Sequence, residues 1–162
     1  VDSVHPTGQD DTQEVVGALL TASRLLVAMA ARSVAAVTEN LTLPQYRMLV
    51  VLDAHGPGNL ARLAEQLKVN SSTALRMVER LAAVDLLEKV GNPDNRREVL
   101  LQLTAAGGQV VRRVTEHRRA EIIRTVHAIP AAQRRPLITA LRAFTDASGE
   151  PPAPLPSLPG WQ

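Results

Sequence analysis

Between residues 70 and 97 the chain gathers side chains suited to meeting a polyanion and the edges of bases. In the run NSSTALRMVERL, Ser72, Arg76 and Glu79 share one face, Thr73 and Arg80 flank it, and Ala74, Val78 and Leu81 lie opposite, given about 100° of rotation per helical residue. Arginine can bind guanine with two hydrogen bonds, and serine or threonine hydroxyls can meet several base edges. Asn70 or Ser71 stands where a helix N-cap is needed, and the free N–H groups and dipole of such an end favour phosphate. Further on, Arg96 and Arg97 follow a turn-forming run. Adjacent unpaired guanidiniums there suit phosphates or a narrow, electronegative minor groove. Taken alone, the helical stretch also fits an ordinary amphipathic helix with a solvated polar face.

These side chains need elements to carry them. Leu60, Leu63, Ala64 and Leu67 recur at helical spacing, KVN follows, and the set of Ala74, Val78 and Leu81 comes next, which is a helix-turn-helix pattern. Leu86 and Leu87 begin an extended segment, Gly91, Asn92 and Pro93 form a turn, and Val99, Leu101 and Leu103 alternate with Glu98, Leu100 and Gln102. That is a β-hairpin with both arginines near its tip. A helix-turn-helix followed by a basic hairpin is a winged helix. Lys68 and Asn70, in the turn between the two helices, are placed to hold phosphate.

Upstream, Thr42 to Gln45 reads as a capping box with Pro44 in the first turn and Leu41 and Tyr46 at the spacing of a hydrophobic staple. The helix they open ends in the run HGPG at residues 55–58. From about Asp11 to Thr38 runs a longer helix with Val15, Leu19, Ala22, Leu25, Leu26, Met29 and Val37 apolar, and with Val16, Leu20 and Val27 widening the stripe. A helix apolar over most of its circumference needs more than one packing partner. In so short a chain that partner is a second subunit or, alternatively, the rest of the monomer. Downstream, Thr104 can cap a helix reaching about Ala128, and Ala131 opens a last helix expected to turn Leu137, Ile138, Leu141 and Phe144 inward. The expected fold is mainly α with a small β-hairpin wing: a winged helix-turn-helix domain flanked by N- and C-terminal dimerisation helices. Residues 1–10 read as a frayed terminus, 11–40 as a dimerisation helix, 41–104 as the winged domain, 105–148 as further dimerisation helices and 149–162 as a proline-rich tail.

Three runs carry a family resemblance: LTLPQYRMLVVL, then LARLAEQLKVNSSTALRMVERLAAVDLLEK, then NRREVLLQLTAAG. Residues 41–107 resemble the MarR family of bacterial transcription regulators. The resemblance implies a homodimer that sets two recognition helices about 34 Å apart on a pseudo-palindromic operator in double-stranded DNA. It also implies a repressor released by a small phenolic or anionic effector held between the dimer helices and the winged domain. Leu26, Tyr46 and Arg47 are the candidate pocket residues. Ser72, Thr73 and Arg76 would read bases, Arg96 and Arg97 would probe the minor groove, and Lys68 and Asn70 would hold phosphate. Two positions depart from the family pattern. Asn95 stands where the family has the wing aspartate, and an amide lacks the charge that strengthens pairing with an arginine such as Arg97; Asp94 is the nearest carboxylate that could replace it. Asp85 stands where the family commonly has glycine, and aspartate is among the few residues that tolerate a left-handed conformation.

Composition narrows the alternatives. The 162-residue chain has no cysteine, which removes disulfides, thiolate metal sites and cysteine redox sensing together. Only 2% of residues are aromatic, so the core must be aliphatic. Charge is uneven: residues 1–40 hold two basic against five acidic side chains, residues 59–104 seven against six, and residues 105–148 eight against three. The motif itself is therefore nearly neutral, which leaves specific contact to a few arginines. No uncharged apolar run approaches the roughly 18 residues of a membrane span, and no signal-peptide arrangement is present, so a cytoplasmic protein without membrane contact is expected. No nucleophile, base and orienting group stand at interpretable spacing. The expectation is a non-enzymatic protein without cofactor or metal. The competing reading is a winged-helix module for protein interaction or dimerisation that does not touch DNA.

Overall fold

The computed structural model describes residues 7–95 and 97–148. The proline-rich tail, most of the expected frayed terminus and Arg96 lie outside the described residues. The chain divides into two units, Val1–Glu121 and Ile122–Gln162.

The first unit holds the winged domain. Helix α1 (Thr7–Ala35) starts earlier than the expected Asp11 and stops before Thr38. Helix α2 (Leu43–His55) opens on the capping box that its sequence requires: Gln45 N donates to Thr42 Oγ1 at 3.4 Å and Thr42 N donates to Gln45 Oε1 at 2.9 Å. Leu41 and Tyr46 are both buried beside it, as a staple should be. Helix α3 (Leu60–Leu67) is capped by Asn59 and ends on Lys68, whose φ of 54° is left-handed. Helix α4 (Ser71–Ala83) follows. Strands β1 (Leu87–Gly91) and β2 (Val99–Leu103) pair antiparallel, with Leu87 opposite Leu103 and Gly91 opposite Val99. The α2–α3 connection adds a bridge absent from the sequence-based expectation, in which Gly58 and Leu101 exchange backbone hydrogen bonds of 3.0 and 2.9 Å. Helix α5 (Ala105–His127) begins under the cap expected of Thr104, whose Oγ1 accepts from Gly107 N at 3.0 Å.

The core is aliphatic, as the scarcity of aromatics demands. Met48, Leu49, Leu63, Val78, Leu81, Leu87 and Val114 are almost wholly buried. The end of α1 joins it through Val34, and Ser33 is buried there with its hydroxyl donating to Met29 O at 2.7 Å. Arg32 reaches α5, its Nε donating to Glu121 Oε1 at 2.9 Å. The rest of α1 is open: Val15, Val16, Leu20, Leu25, Leu26 and Val27 are exposed. By length and composition Asp11–Ala35 would also pass for a membrane span, with a mean hydropathy of 1.6. Its C-terminal end, however, is built into the packing and ion pairing of the first unit.

The second unit comprises the end of α5 and helix α6 (Ala131–Ser148). Leu137, Ile138, Leu141 and Phe144 were expected to point inward, yet they are 38–51% exposed. The periodicity is genuine, but the apolar stripe that it marks is exposed.

Candidate nucleic-acid interface

Helix α4 is positioned by its apolar face, since Ala74, Met77, Val78 and Leu81 are buried. Met77 completes a stripe that the spacing already marks at Ala74, Val78 and Leu81. Asn70 is the N-cap: its Oδ1 accepts from Thr73 N at 2.8 Å and from Ser72 Oγ at 2.9 Å. The Ser72 proton is thereby directed at the cap, leaving the lone pairs of Oγ outward as acceptors. Ser72 and Arg76 are exposed, Thr73 is half-buried at the edge, and Lys68 is exposed in the preceding turn. Leu75 is also 40% exposed on this face. The spacing could have revealed it, one turn after Ser71 and Ser72 and one turn before Glu79. An apolar side chain there is able to meet a thymine methyl.

The turn between α4 and β1 is tight. Asp85 sits at φ 57°, the left-handed conformation that its place in the family's glycine position implies. Thr104 Oγ1 donates to Asp85 O at 2.6 Å, and Thr104 N donates to Leu86 O at 3.3 Å. Gly107 packs so closely that a Cβ there would lie 2.0 Å from Leu86 O. The end of α4, the start of the hairpin and the start of α5 are thus locked at one point.

In the wing loop, Asn95 Oδ1 accepts from Arg97 N at 3.2 Å, so this amide folds the turn rather than pairing with a guanidinium. Asp94 gives its N–H to Asn92 Oδ1 at 2.9 Å. Arg97 itself is exposed. Glu98 is held by Asn59 and Asn92, whose side-chain amides lower its carboxyl below the ordinary glutamate value, Asn59 having the larger effect.

The three residues proposed for a ligand pocket are not brought together. Leu26 is exposed on α1. Tyr46 is buried, its hydroxyl 3.3 Å from Thr115 Oγ1. Arg47 alone lines a cavity of about 290 Å³, with Leu43, Pro44, Leu67, Val69 and Met77 as its apolar walls. Sequence spacing could not place Leu67, Val69 and Met77 beside Arg47, because the contact joins α2 to the turn and face of the helix-turn-helix.

The sequence model of the MarR family matches residues 41–99. The HTH-type transcriptional repressor NicR of Pseudomonas putida is 29% identical over 107 residues, 66% of this chain and 68% of NicR. Against other curated regulators the match spans about half of their length, 52% and 44% in two cases. The crystal structure of RV1404 from Mycobacterium tuberculosis is 52% identical with a TM-score of 0.81, over 88% of this chain and 97% of that one. A Staphylococcus aureus MepR variant bound to an oligodeoxyribonucleotide shares the fold, with a TM-score of 0.64 at 15% identity over 83% of this chain and 97% of that one. With the winged domain matched by the family's own model and a relative this similar across nearly its whole length, the chain belongs to the MarR family.

Proposed function

We propose that the protein is a homodimeric, sequence-specific DNA-binding transcription regulator acting in the cytoplasm as a repressor. The observation that carries this reading is the pairing, within one packed unit, of a capped helix whose outward face bears Ser72, Leu75 and Arg76 with a hairpin that projects Arg97. Ser72, Thr73, Leu75 and Arg76 read base edges in the major groove. Arg97, with Arg96, enters the minor groove, and Lys68 and Asn70 hold phosphate. Such phosphate contacts set affinity and the base contacts set specificity. The repressor role of NicR and the DNA-bound MepR variant are consistent with this reading.

Dimerisation explains why apolar stripes are left open. Residues 11–40 and 105–148 supply it, and the exposed side chains of α1 and, separately, of α6 are covered by a second copy. Isolated exposed leucines need no explanation, but stripes of this size do. The cavity beside Arg47 suits a small molecule with an anionic head and an apolar body. Because Met77 of the recognition helix forms one wall, a ligand that prefers one placement of α4 shifts DNA affinity by that preference and no more.

The test is a salt-controlled titration of the protein against DNA from upstream of its own gene. A discrete complex is expected at nanomolar protein, and Arg97→Ala should weaken it by about 1–3 kcal/mol. Binding that fails to discriminate that DNA from random duplex would favour a protein-interaction module instead.

A further inference from the structure

Glu98 stands where three segments meet. Its Oε1 accepts from Asn59 Nδ2 at 2.5 Å and its Oε2 accepts from Asn92 Nδ2 at 2.6 Å. Its backbone N–H donates to Asn95 O at 2.9 Å, and its carbonyl accepts from Asn92 N at 3.1 Å. One side chain therefore joins the N-cap of α3 to both sides of the wing loop.

The orientation of both amides is dictated by the backbone. Asn59 Oδ1 is already used, accepting from Arg62 N at 2.9 Å to cap α3. Asn92 Oδ1 is likewise used, accepting from Asp94 N at 2.9 Å. Each amide must therefore turn its NH₂ toward residue 98, and only a group that accepts at both ends can satisfy them. A carboxylate does so with charge-assisted hydrogen bonds, which are stronger than neutral ones. Arg97, the residue before Glu98, is exposed and held at its backbone by Asn95. Fixing Glu98 thus fixes the base from which the Arg97 side chain extends.

We propose that Glu98 is the positioning residue of the wing, clamping the loop of residues 92–98 to the N-terminus of α3 so that Arg97 is presented in a set relation to the recognition helix. The clamp takes the place of an aspartate–arginine pair at the tip, where this chain has Asn95. Its consequence for DNA rests on the regulator reading above, whereas the clamp itself can be read in the free protein.

The experiment uses the full chain and three variants: Glu98→Gln, Asn59→Asp and both together. In Glu98→Gln one amide NH₂ meets another, and backbone exchange of Asn95, Arg97 and Glu98 should rise about tenfold while α4 is unchanged, as local opening without global unfolding requires. Adding Asn59→Asp puts an acceptor opposite the new donor and keeps a good N-cap, so exchange should return toward the wild-type rate. On operator DNA, Arg97→Ala should weaken binding less in the Glu98→Gln background than in the wild type, a coupling that loss of stability alone does not produce. Wing exchange that is unchanged in Glu98→Gln, or not rescued by the second substitution, would overturn the clamp. If exchange behaves as expected but the wild-type protein binds no DNA, the clamp stands and the regulator reading falls.

Discussion

The recognition helix and the wing, which together form the proposed DNA surface, are held by opposite means. Helix α4 presses four side chains into an aliphatic core, with Ala74, Val78 and Leu81 at 0–1% exposure. The wing loop buries none of its described residues and is shaped by Asn59, Asn92, Asn95 and Glu98. Burial is non-directional and scales with the apolar area removed from water, whereas hydrogen bonds at a wet surface are directional and contribute only modest net stability. The difference assigns means: the helix is set by the folding of the domain, whereas the wing is set by a few hydrogen bonds that can be removed singly.

The largest effect should come from the helix side. Leu81→Ala removes a fully buried side chain from the centre of the core, and such truncations cost about 2–5 kcal/mol. Chemical denaturation should show this as a lower midpoint for the whole unit. If instead α4 alone loosened, the helix would not be an integral part of the core and the contrast would fail.

Gly107→Ala tests the point where helix, hairpin and α5 meet. The new Cβ would overlap the backbone carbonyl of Leu86 at 2.0 Å, and backbone cannot step aside as a side-chain tip can. Overpacking of this kind costs about 1–3 kcal/mol, and thermal denaturation should register it. A wild-type melting temperature would mean that α5 can shift away from the hairpin.

What the sequence reveals divides along the same line. The capping box at Thr42, a cap at Asn70 or Ser71 and the cap at Thr104 follow from chemistry within a few residues, and the structure has them, with Asn70 as the cap; the left-handed Asp85 follows from the family resemblance and is present too. The hairpin follows from alternation. What was hidden depends on contacts between distant positions. Glu98 meets Asn59 across 39 residues and Tyr46 meets Thr115 across 69. No local pattern announces either contact. The exposure of the α6 stripe is hidden in the sequence for another reason. Periodicity shows that a face is apolar, but it does not show whether the same chain covers it.

Asp85→Gly should move stability the other way. The turn requires φ 57°, which glycine adopts without a Cβ penalty of about 1 kcal/mol. A gain of up to that size is expected by denaturation, offset in part by the greater freedom of glycine in the unfolded chain. Loss of stability would show that the Asp85 side chain contributes something beyond tolerating the turn.

Acid should separate the two regions with the smallest perturbation. The Glu98 carboxyl is lowered by hydrogen bonds from Asn59 and then Asn92. A depressed folded value means that the carboxylate's stabilisation is complete above the unfolded glutamate value of about 4.3. It is lost as pH falls through the lower, folded value. The side-chain amide resonances of Asn59 and Asn92 should therefore stay constant from neutral pH down to the ordinary glutamate range and shift together only below it. The methyl resonances of Ala74, Met77, Val78 and Leu81 on the buried face of α4 should hold through that step, because none of these side chains takes up a proton. If these methyl groups moved in concert with the two amides, wing and helix would be one cooperative element, and the contrast between them would have to be abandoned.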